Sequence, residues 1–381
     1  MQVNITGNGD NRRTLVVVFL RGGADGLTLV PPVGDSDYQN QRPLIKVDDQ
    51  DIVNLEGEDR FGLHPLLEPL LVPYKEGQLA VVHCVGTEDT TRSHFEAQDL
   101  MEHGGKNTAG GWLGRFLRAQ LDPGEQQGMK ISPLSAVALG QSIPESLRGA
   151  PSATALESLN NFSLGENTTS FTQQLESLYR SWRMSPGLSE AGLGTIQAMK
   201  RIEKLDTNDY QPENGAEYRN HSFSQGLRQV AQLIKARVGL DVVSLDLNGW
   251  DSHFGQLTVM GRLLSELAHG LSTFYRDLDR QHMETVSLVV MTEFGRRLYM
   301  NSSLGTDHGR GSVMFIMGGG VNGGQVISNW KGLKSEVLEG PGDLPVTTNY
   351  RNVLVPILKR HRATDLSAIF PKFELSPLVD L

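Results

Sequence analysis

The chain has 381 residues, of which 38% are hydrophobic and 21% are charged, the proportions of a globular protein rather than a disordered one. Its formal net charge of −9 and isoelectric point near 5.6 exclude the clustered positive charge that a nucleic-acid partner requires. The charges are spread along the chain, which indicates a solvated surface rather than an acidic tail. Cys84 is the only cysteine, so no disulfide can form within the chain.

The N-terminal region contains no complete targeting signal. Arg12 and Arg13 form a pair of the twin-arginine kind, but a short β-type run and a Gly-rich turn follow without a cleavage site. No segment is apolar for long enough to span a bilayer. We therefore expect a cytoplasmic location by default, and export only if a signal was removed before the numbering begins. The oligomeric state is left open.

Five short, continuous, β-branched apolar runs predict buried strands of a parallel sheet. They cover residues 15–20, 79–85, 242–247, 286–291 and 313–317. Helical patterns lie at residues 171–182, 223–238, 257–278 and 349–362. This alternation predicts an α/β fold, a three-layer sandwich in which helices cover both faces of a mostly parallel central sheet.

The middle of the chain, from about residue 122 to 220, has a different composition that is rich in Ser, Gly, Asn and Pro. We interpret it as an insertion or cap that covers one edge of the sheet, not as an independently folding unit. Residues 1–381 are therefore expected to form a single domain, although the length alone would allow two.

Polar residues cluster at the ends of the predicted strands, where parallel sheets bind their ligands. In chain order these residues are Arg21 and Asp25, Ser93 and His94, Asp251 and His253, Glu293 and Arg296, and finally Asp307 and His308 just before the last strand. Carboxylate oxygen and imidazole nitrogen together suit a divalent cation. The sequence therefore predicts a metal site at this edge of the sheet.

Each of these residues also has an ordinary structural explanation. An Asp after a strand commonly caps the next helix, and a Glu such as Glu293 could simply pair with Arg296 or Arg297. These explanations are independent of one another, whereas all the groups fall at one end of one sheet, which favours a shared site. The sequence contains no His-Glu-x-x-His helix, cysteine cluster, P-loop or dinucleotide fingerprint.

Five segments, taken together, resemble the bacterial family known as domain of unknown function 1501, and more broadly the alkaline phosphatase superfamily, which includes the sulfatases. They are Leu-Arg-Gly-Gly-Ala-Asp-Gly-Leu at 20–27, Arg-Ser-His-Phe-Glu-Ala-Gln-Asp at 92–99, Gly-Trp-Asp-Ser-His at 249–253, Glu-Phe-Gly-Arg at 293–296 and Asp-His-Gly at 307–309. The resemblance implies an alkaline phosphatase-like fold with a metal-centred hydrolytic site.

The resemblance also implies how the metal ligands are divided. Asp25 and Glu293 would bind one ion, and Asp251, His253 and His308 would bind a second, with Asp307 as a further candidate ligand. The expected cofactor is a divalent metal, zinc in the first place, as one or two ions, with calcium or magnesium as alternatives.

The implied activity is hydrolysis of a small phosphate or sulfate ester through a Ser-linked displacement. Ser93 would be the nucleophile, with His94 beside it as a second catalytic candidate. The anionic group would be bound by Arg21, Arg92 or Arg296 through paired donors.

Two alternatives remain open within this resemblance. Thr90 or Thr91 could supply the reacting hydroxyl instead of Ser93. Phe294 stands where the superfamily places a His, which favours a one-metal enzyme or a non-catalytic, phosphatase-like scaffold that binds an anionic glycan or another anionic ligand.

Overall fold

The computed structural model of the protein describes residues 13–121, 132–160, 162, 169–181, 186–205, 210–376, 378 and 381. Its strands are β1 (Thr14–Arg21), β2 (Val53–Leu55), β3 (Glu58–Leu63), β4 (Leu79–Gly86), β5 (Ala136–Leu139), β6 (Thr154–Leu156), β7 (Val242–Asn248), β8 (Val286–Met291), β9 (Arg296–Met300), β10 (Thr306–His308), β11 (Ser312–Gly318), β12 (Gln325–Ile327) and β13 (Thr348–Asn349). Its α-helices are α1 (Gly26–Leu29), α2 (Ser36–Gln41), α3 (Leu71–Lys75), α4 (His94–His103), α5 (Trp112–Ala119), α6 (Thr169–Ser181), α7 (Pro186–Ile202), α8 (Ser222–Lys235), α9 (Gln256–Met283), α10 (Tyr350–Arg360) and α11 (Leu366–Ile369).

The central sheet has nine strands in the order β12-β4-β11-β8-β1-β7-β5-β6, and β13 also pairs with β4. Every neighbouring pair is parallel except those of β11, which runs antiparallel to both β4 and β8. The predicted mostly parallel sheet is confirmed, whereas the parallel direction predicted for residues 313–317 is wrong. Because β11 is reversed, the loop that precedes it lies at the same edge as the loops that follow β1, β4, β7 and β8.

Two apolar cores lie on opposite faces of the sheet. On β1, Val16, Val18 and Leu20 belong to one core, while the alternate residues, such as Val17, belong to the other. The first core is covered by α8 and α9, and the second by α4, α5, α10 and α11. Strands that are buried on both faces have no polar alternation, which is why they are recognisable as continuous apolar runs. The α/β class with helices on both faces of the sheet is thereby confirmed.

Two helices begin directly at the polar edge of the sheet. The first, α4, starts after Ser93, whose hydroxyl accepts from the amide of Glu96 as an N-cap, and it ends at Gly104 in the left-handed conformation. The second, α9, starts after Gly255, which is also left-handed, and its buried Leu264, Leu267 and Leu271 follow the helical period. None of the described helices is long and apolar enough to cross a membrane.

The region predicted as a cap over 122–220 is only partly described. Residues 122–131, 161, 163–168, 182–185 and 206–209 lie outside the described part of the chain. Of the rest, β5 and β6 extend the central sheet beyond β7 at one edge, and α6 packs against α7. The segment that follows is anchored to α9, because Tyr210 and Tyr218 donate to the buried Asp277 at 2.7 and 2.8 Å.

Candidate metal centre

Three side chains at the polar edge of the sheet, His94, Asp251 and His308, each bring a possible ligand atom within 4.8 Å of the other two. They come from the start of α4, the loop after β7 and the end of β10. The Oδ1 atom of Asp251 lies 3.4 Å from Nε2 of His94 and 3.4 Å from Nε2 of His308. Imidazole and carboxylate groups that converge in this way could hold a divalent cation.

A third imidazole, that of His253, lies beside the same carboxylate. Its Nε2 atom is 3.2 Å from Asp251 Oδ1 and 2.8 Å from the Nε2 atom of His308. The His253 and His308 ring centroids are 4.5 Å apart. Three Nε2 atoms therefore surround one carboxylate oxygen, and three histidines with one acid are a donor set that suits zinc.

Glu293 fixes the orientation of His94 from behind. Its Oε1 atom accepts from the Gly22 amide at 2.9 Å, from Gln98 Nε2 at 2.9 Å and from His94 Nδ1 at 2.8 Å. An oxygen with three donors around it is occupied by protein, so the His94 proton resides on Nδ1 and its Nε2 lone pair faces the cluster. The structure thus places Glu293 behind His94 with its Oε1 atom held by three donors, and the role of Glu293 as a metal ligand stays a prediction.

The other two histidines have comparable supports. The backbone carbonyl of Arg92 lies 2.7 Å from His308 Nδ1, and because a carbonyl only accepts, that nitrogen carries the proton. Asp307 Oδ1 lies 3.4 Å from His253 Nδ1, a long contact. A hydrogen bond from Asn301 lowers the pKa of Asp307, so this carboxylate is an ionised acceptor. Asp307, expected as a ligand, therefore lies behind His253.

The ionisation of the cluster matches a cation site. Burial alone would raise the pKa of Asp251, but the hydrogen bond and charge of Arg296, together with the neighbouring imidazoles, outweigh it and lower this pKa to about 2. The Glu293 hydrogen bond raises the pKa of His94, whereas burial lowers the pKa of His308. Asp251 is consequently ionised at neutral pH, and it faces imidazole nitrogens.

Two features of the nitrogen atoms of the cluster bear on whether it holds a cation. The Nε2 atoms of His253 and His308 face each other at 2.8 Å, and this contact is either a hydrogen bond from the Nε2-protonated tautomer of His253 or a pair of lone pairs that a metal ion would bridge. In addition, His94 Nε2 is buried and has no hydrogen-bond partner among the described residues. Such a nitrogen requires an explanation, and a bound cation supplies one. The residues therefore fit the expected divalent metal.

The sequence predicts that Arg296 binds substrate, whereas in the structure its side chain contacts the loops that form this centre. Its guanidinium is buried and donates to the carbonyls of Gly23 at 2.7 Å, Thr306 at 3.0 Å and Trp250 at 3.3 Å, as well as to that of Gly22. Its Nη2 atom also donates to Asp251 Oδ1 at 2.8 Å. These bonds direct Arg296 into the protein and leave it between the loops of the centre, while its role in anion binding stays a prediction.

Two glycines allow the loops of the centre to approach one another. Gly22 has φ of +120°, and a Cβ there would lie 2.5 Å from the backbone nitrogen of Asp251. A Cβ on Gly305 would lie 2.3 Å from the carbonyl carbon of His253. A side chain at either position would push away a loop that carries a ligand.

Asp25, expected as a metal ligand, lies in a different environment. It is fully buried, and its two oxygens accept from Arg42 Nη1 at 2.5 Å and Nη2 at 3.1 Å. Thr28 and Gln256 donate to the same carboxylate. Burial alone would raise the pKa of Asp25, but Arg42 more than offsets it and the pKa is lowered. A guanidinium thus occupies both oxygens of Asp25, and the structure does not bring this carboxylate together with the histidine cluster. The role of Asp25 as a metal ligand stays a prediction.

Arg21, expected to be catalytic, belongs to a network behind Glu293. It donates to Asp246 at 2.6 Å, to Glu102 at 2.7 Å and to Gln98 at 3.1 Å. Gln98 in turn donates to Glu293, so Arg21 is two hydrogen bonds away from that carboxylate. The structure therefore gives Arg21 a supporting position instead of a free anion-binding one.

Ser93 and His94 occupy adjacent positions with different surroundings. The Ser93 hydroxyl accepts from the Glu96 amide at 3.5 Å, the geometry of a weak N-cap. The role of Ser93 as a nucleophile stays a prediction. His94, expected as a catalytic residue, instead provides one of the converging nitrogens.

The ring of Phe294 forms one wall of the centre. It is buried, and its centroid lies 4.8 Å from that of His94 and 4.9 Å from that of His308. An apolar ring at this point adds no ligand. Phe294, Glu293 and Thr91 also line a small cleft beside the cluster.

Sequence reasoning missed Gln98 and Arg42. Gln98 follows His94 by four residues on α4, a spacing that places both side chains on one helix face, and this signal could have been recognised. Arg42 lies in an unremarkable stretch after α2, 17 residues from its partner Asp25, and carries no comparable signal.

The geometry thus defines an α/β protein with a candidate histidine–aspartate metal centre at the carboxyl edge of its sheet. The sequence model of the family described as "Protein of unknown function (DUF1501)" matches residues 12–362, and the chain belongs to this family. No curated protein matches the chain. Among solved structures, the PH0037 protein from Pyrococcus horikoshii is similar, with 13% identity and a TM-score of 0.31, over 84% of this chain and 93% of that one.

Replacing Asp25 with Ala should destabilise the protein without specifically removing a metal. The change leaves the Arg42 charge buried and unpaired, which typically costs about 3–5 kcal/mol of unfolding free energy. Urea unfolding followed by circular dichroism measures this cost, and Asp37→Ala on the partly exposed α2 is the control. A loss below about 1 kcal/mol, accompanied by loss of bound metal, would return Asp25 to the list of ligands.

Zinc affinity should weaken as the pH falls from about 8 to about 6, because protonation of His94 Nε2 competes with the ion. Glu293 raises the pKa of His94, so Glu293→Gln should shift this weakening to lower pH. In the metal-free protein the raised pKa contributes stability that is fully present below about 6.5 and is lost as the pH rises through the raised value. Competition with a chelator at several pH values measures the affinity, and identical profiles for the two proteins would contradict this assignment.

Proposed function

We propose that this protein is a metal-dependent hydrolase of phosphate or sulfate esters with an alkaline phosphatase-like fold. The observation that supports this proposal is the convergence of three imidazole Nε2 atoms on the ionised carboxylate of Asp251. The centre lies at the carboxyl edge of a mostly parallel sheet, where α/β enzymes bind their substrates. The exposed half of the Asp251 side chain leaves a side open for substrate.

His94, His253, His308 and Asp251 would bind one ion, for which zinc is the best match to the donor set. A bound zinc ion supplies Lewis acidity that polarises the ester and lowers the pKa of the attacking hydroxyl. A single ion is favoured over two because Asp25 is committed to Arg42 and Glu293 to His94. The apolar Phe294 ring also stands where a further ligand was expected.

The protein residues contribute orientation and charge. Glu293 and the Arg92 carbonyl hold the protons of His94 and His308 on Nδ1, so that both Nε2 lone pairs face the site. Arg296 keeps Asp251 ionised and in place. These supporting contacts are in place before substrate binds, because Glu293, the Arg92 carbonyl and Arg296 come from different segments at the sheet edge.

Ser93 is the proposed nucleophile. It directly precedes His94 and opens α4, whose free N–H groups and positive potential favour a developing anion. Its hydrogen bond to the Glu96 amide is long, so the hydroxyl can reorient at little cost. On attack, the bond between the ester oxygen and phosphorus or sulfur would break, the alcohol would leave with the hydroxyl proton, and the Ser93 oxygen would carry the phosphoryl or sulfuryl group until water releases it as phosphate or sulfate.

The alternative function is that of a non-catalytic scaffold that binds an anionic glycan. Phe294 favours this alternative. Its apolar ring stands where a metal ligand was expected, which would suit a centre that binds an anionic ligand without hydrolysing it. Assays of zinc-loaded protein with an aryl phosphate and an aryl sulfate separate the two functions. Turnover of neither ester by zinc-loaded protein favours the scaffold.

Protein purified without chelator should contain close to one zinc ion per chain, and His308→Ala should lose most of it, because a missing ligand weakens a four-donor site strongly. His282→Ala is the matched control, since His282 is a partly exposed histidine bound to Asp279 on α9. Elemental analysis measures the metal content. The centre is refuted if the unmutated protein contains no metal after zinc is added, or if both variants keep the same amount.

Replacing Ser93 with Ala should abolish ester turnover while the fold and the zinc content are kept. Loss of the N-cap alone costs about 1 kcal/mol of stability and leaves turnover largely unchanged. Initial rates with the ester that the unmutated protein hydrolyses distinguish loss of a nucleophile from loss of an N-cap. Ser222→Ala, at the start of α8, is the control for a serine at a helix terminus. If more than a small fraction of the rate remains, Thr90, Thr91 or water is the attacking group.

A further inference from the structure

Two arginines flank one buried carboxylate next to the metal centre. Arg92 Nη2 donates to Oδ2 of the fully buried Asp343, and Arg297 Nε lies 3.5 Å from Oδ1 of the same carboxylate. Neither that Oδ1 atom nor Arg297 Nε has a hydrogen-bond partner among the described residues. One carboxylate thus keeps two guanidinium groups side by side without satisfying both.

Both arginines are connected directly to the histidine cluster. The carbonyl of Arg92 accepts from His308, and Arg297 Nη1 donates at 3.2 Å to Asp307, the carboxylate behind His253. The Arg92 side chain is 38% exposed and that of Arg297 is 25% exposed, so a ligand in solution can reach part of each. Arg21 and Arg296, in contrast, each donate hydrogen bonds to several protein acceptors.

The two side chains retain donors for a ligand. A guanidinium has five N–H donors, and within the described part of the chain Arg92 donates one hydrogen bond, to Asp343. Arg297 donates to Asp307 and faces Asp343 in a poorly aligned contact. Two like charges placed together repel each other, and a tetrahedral oxyanion between them would relieve that repulsion.

We propose that Arg92 and Arg297 bind the non-bridging oxygens of the substrate's sulfate or phosphate group. Guanidinium groups recognise such oxygens through paired, charge-assisted hydrogen bonds. Asp343 holds Arg92 and Asp307 holds Arg297 before the ligand arrives, which reduces the entropy lost on binding. This inference rests on the proposed function for the identity of the group, whereas the anion site itself depends only on the two arginines.

The test is calorimetric titration of inorganic sulfate and, separately, inorganic phosphate into the protein, both zinc-loaded and zinc-free. Arg92→Ala and Arg297→Lys should each weaken binding by about tenfold or more, because each loses charge-assisted hydrogen bonds. Arg219→Ala is the matched control, since Arg219 is a similarly exposed arginine paired with Glu266. Its affinity should equal that of the unmutated protein. The tighter of the two anions identifies the ester class.

The outcomes separate this inference from the proposed function. If the unmutated protein binds zinc but neither anion, or if the two arginine variants bind as well as the Arg219 variant, the inference is overturned. If the protein binds no zinc but still binds an anion through both arginines, the inference stands and the hydrolase proposal fails. If Arg297→Lys is unfolded by circular dichroism, the result for Arg92→Ala decides alone.

Discussion

The polar edge of this protein depends on one buried guanidinium. Arg296 is inserted between the loop after β1, the loop after β7 and strand β10, and it donates to backbone carbonyls in all three. A buried positive charge is costly unless it is both hydrogen-bonded and neutralised. Asp251 supplies the negative charge, so the same contact that makes Arg296 tolerable keeps Asp251 ionised beside the histidines.

A second buried arginine repeats this arrangement. Arg42 donates to the carbonyls of Leu298 and Arg297 and pairs with Asp25, and it thereby ties α1 to the β9 strand that contains Arg296. The candidate metal ligands therefore rest on a framework of paired charges. Such support matters because ligand atoms must be positioned to within a few tenths of an ångström for metal binding.

The sequence was sufficient for the strands and for placing the polar loops at one edge of the sheet, but not for the contacts that each acid makes there. Continuous apolar runs have one physical cause, burial on both faces, so all five predicted strands lie where expected. An apolar run does not indicate whether its strand lies parallel or antiparallel to its neighbours, which is why the antiparallel direction of β11 was not predicted. An Asp after a strand can equally face a metal or an arginine, and only tertiary structure revealed that Asp25 faces Arg42.

The candidate ligands of the centre come from distant parts of the chain, at positions 94, 251, 253 and 308. No short fragment contains them together, and their approach requires β1, β4, β7, β8 and β11 to be paired in register. Closing such long loops is slow and entropically unfavourable before the sheet exists. A metal ion that needs all four ligands would thus bind only the native chain, and its binding energy would add to global stability as the logarithm of its free concentration. In a cell, the folded population of this protein would then follow the supply of the metal.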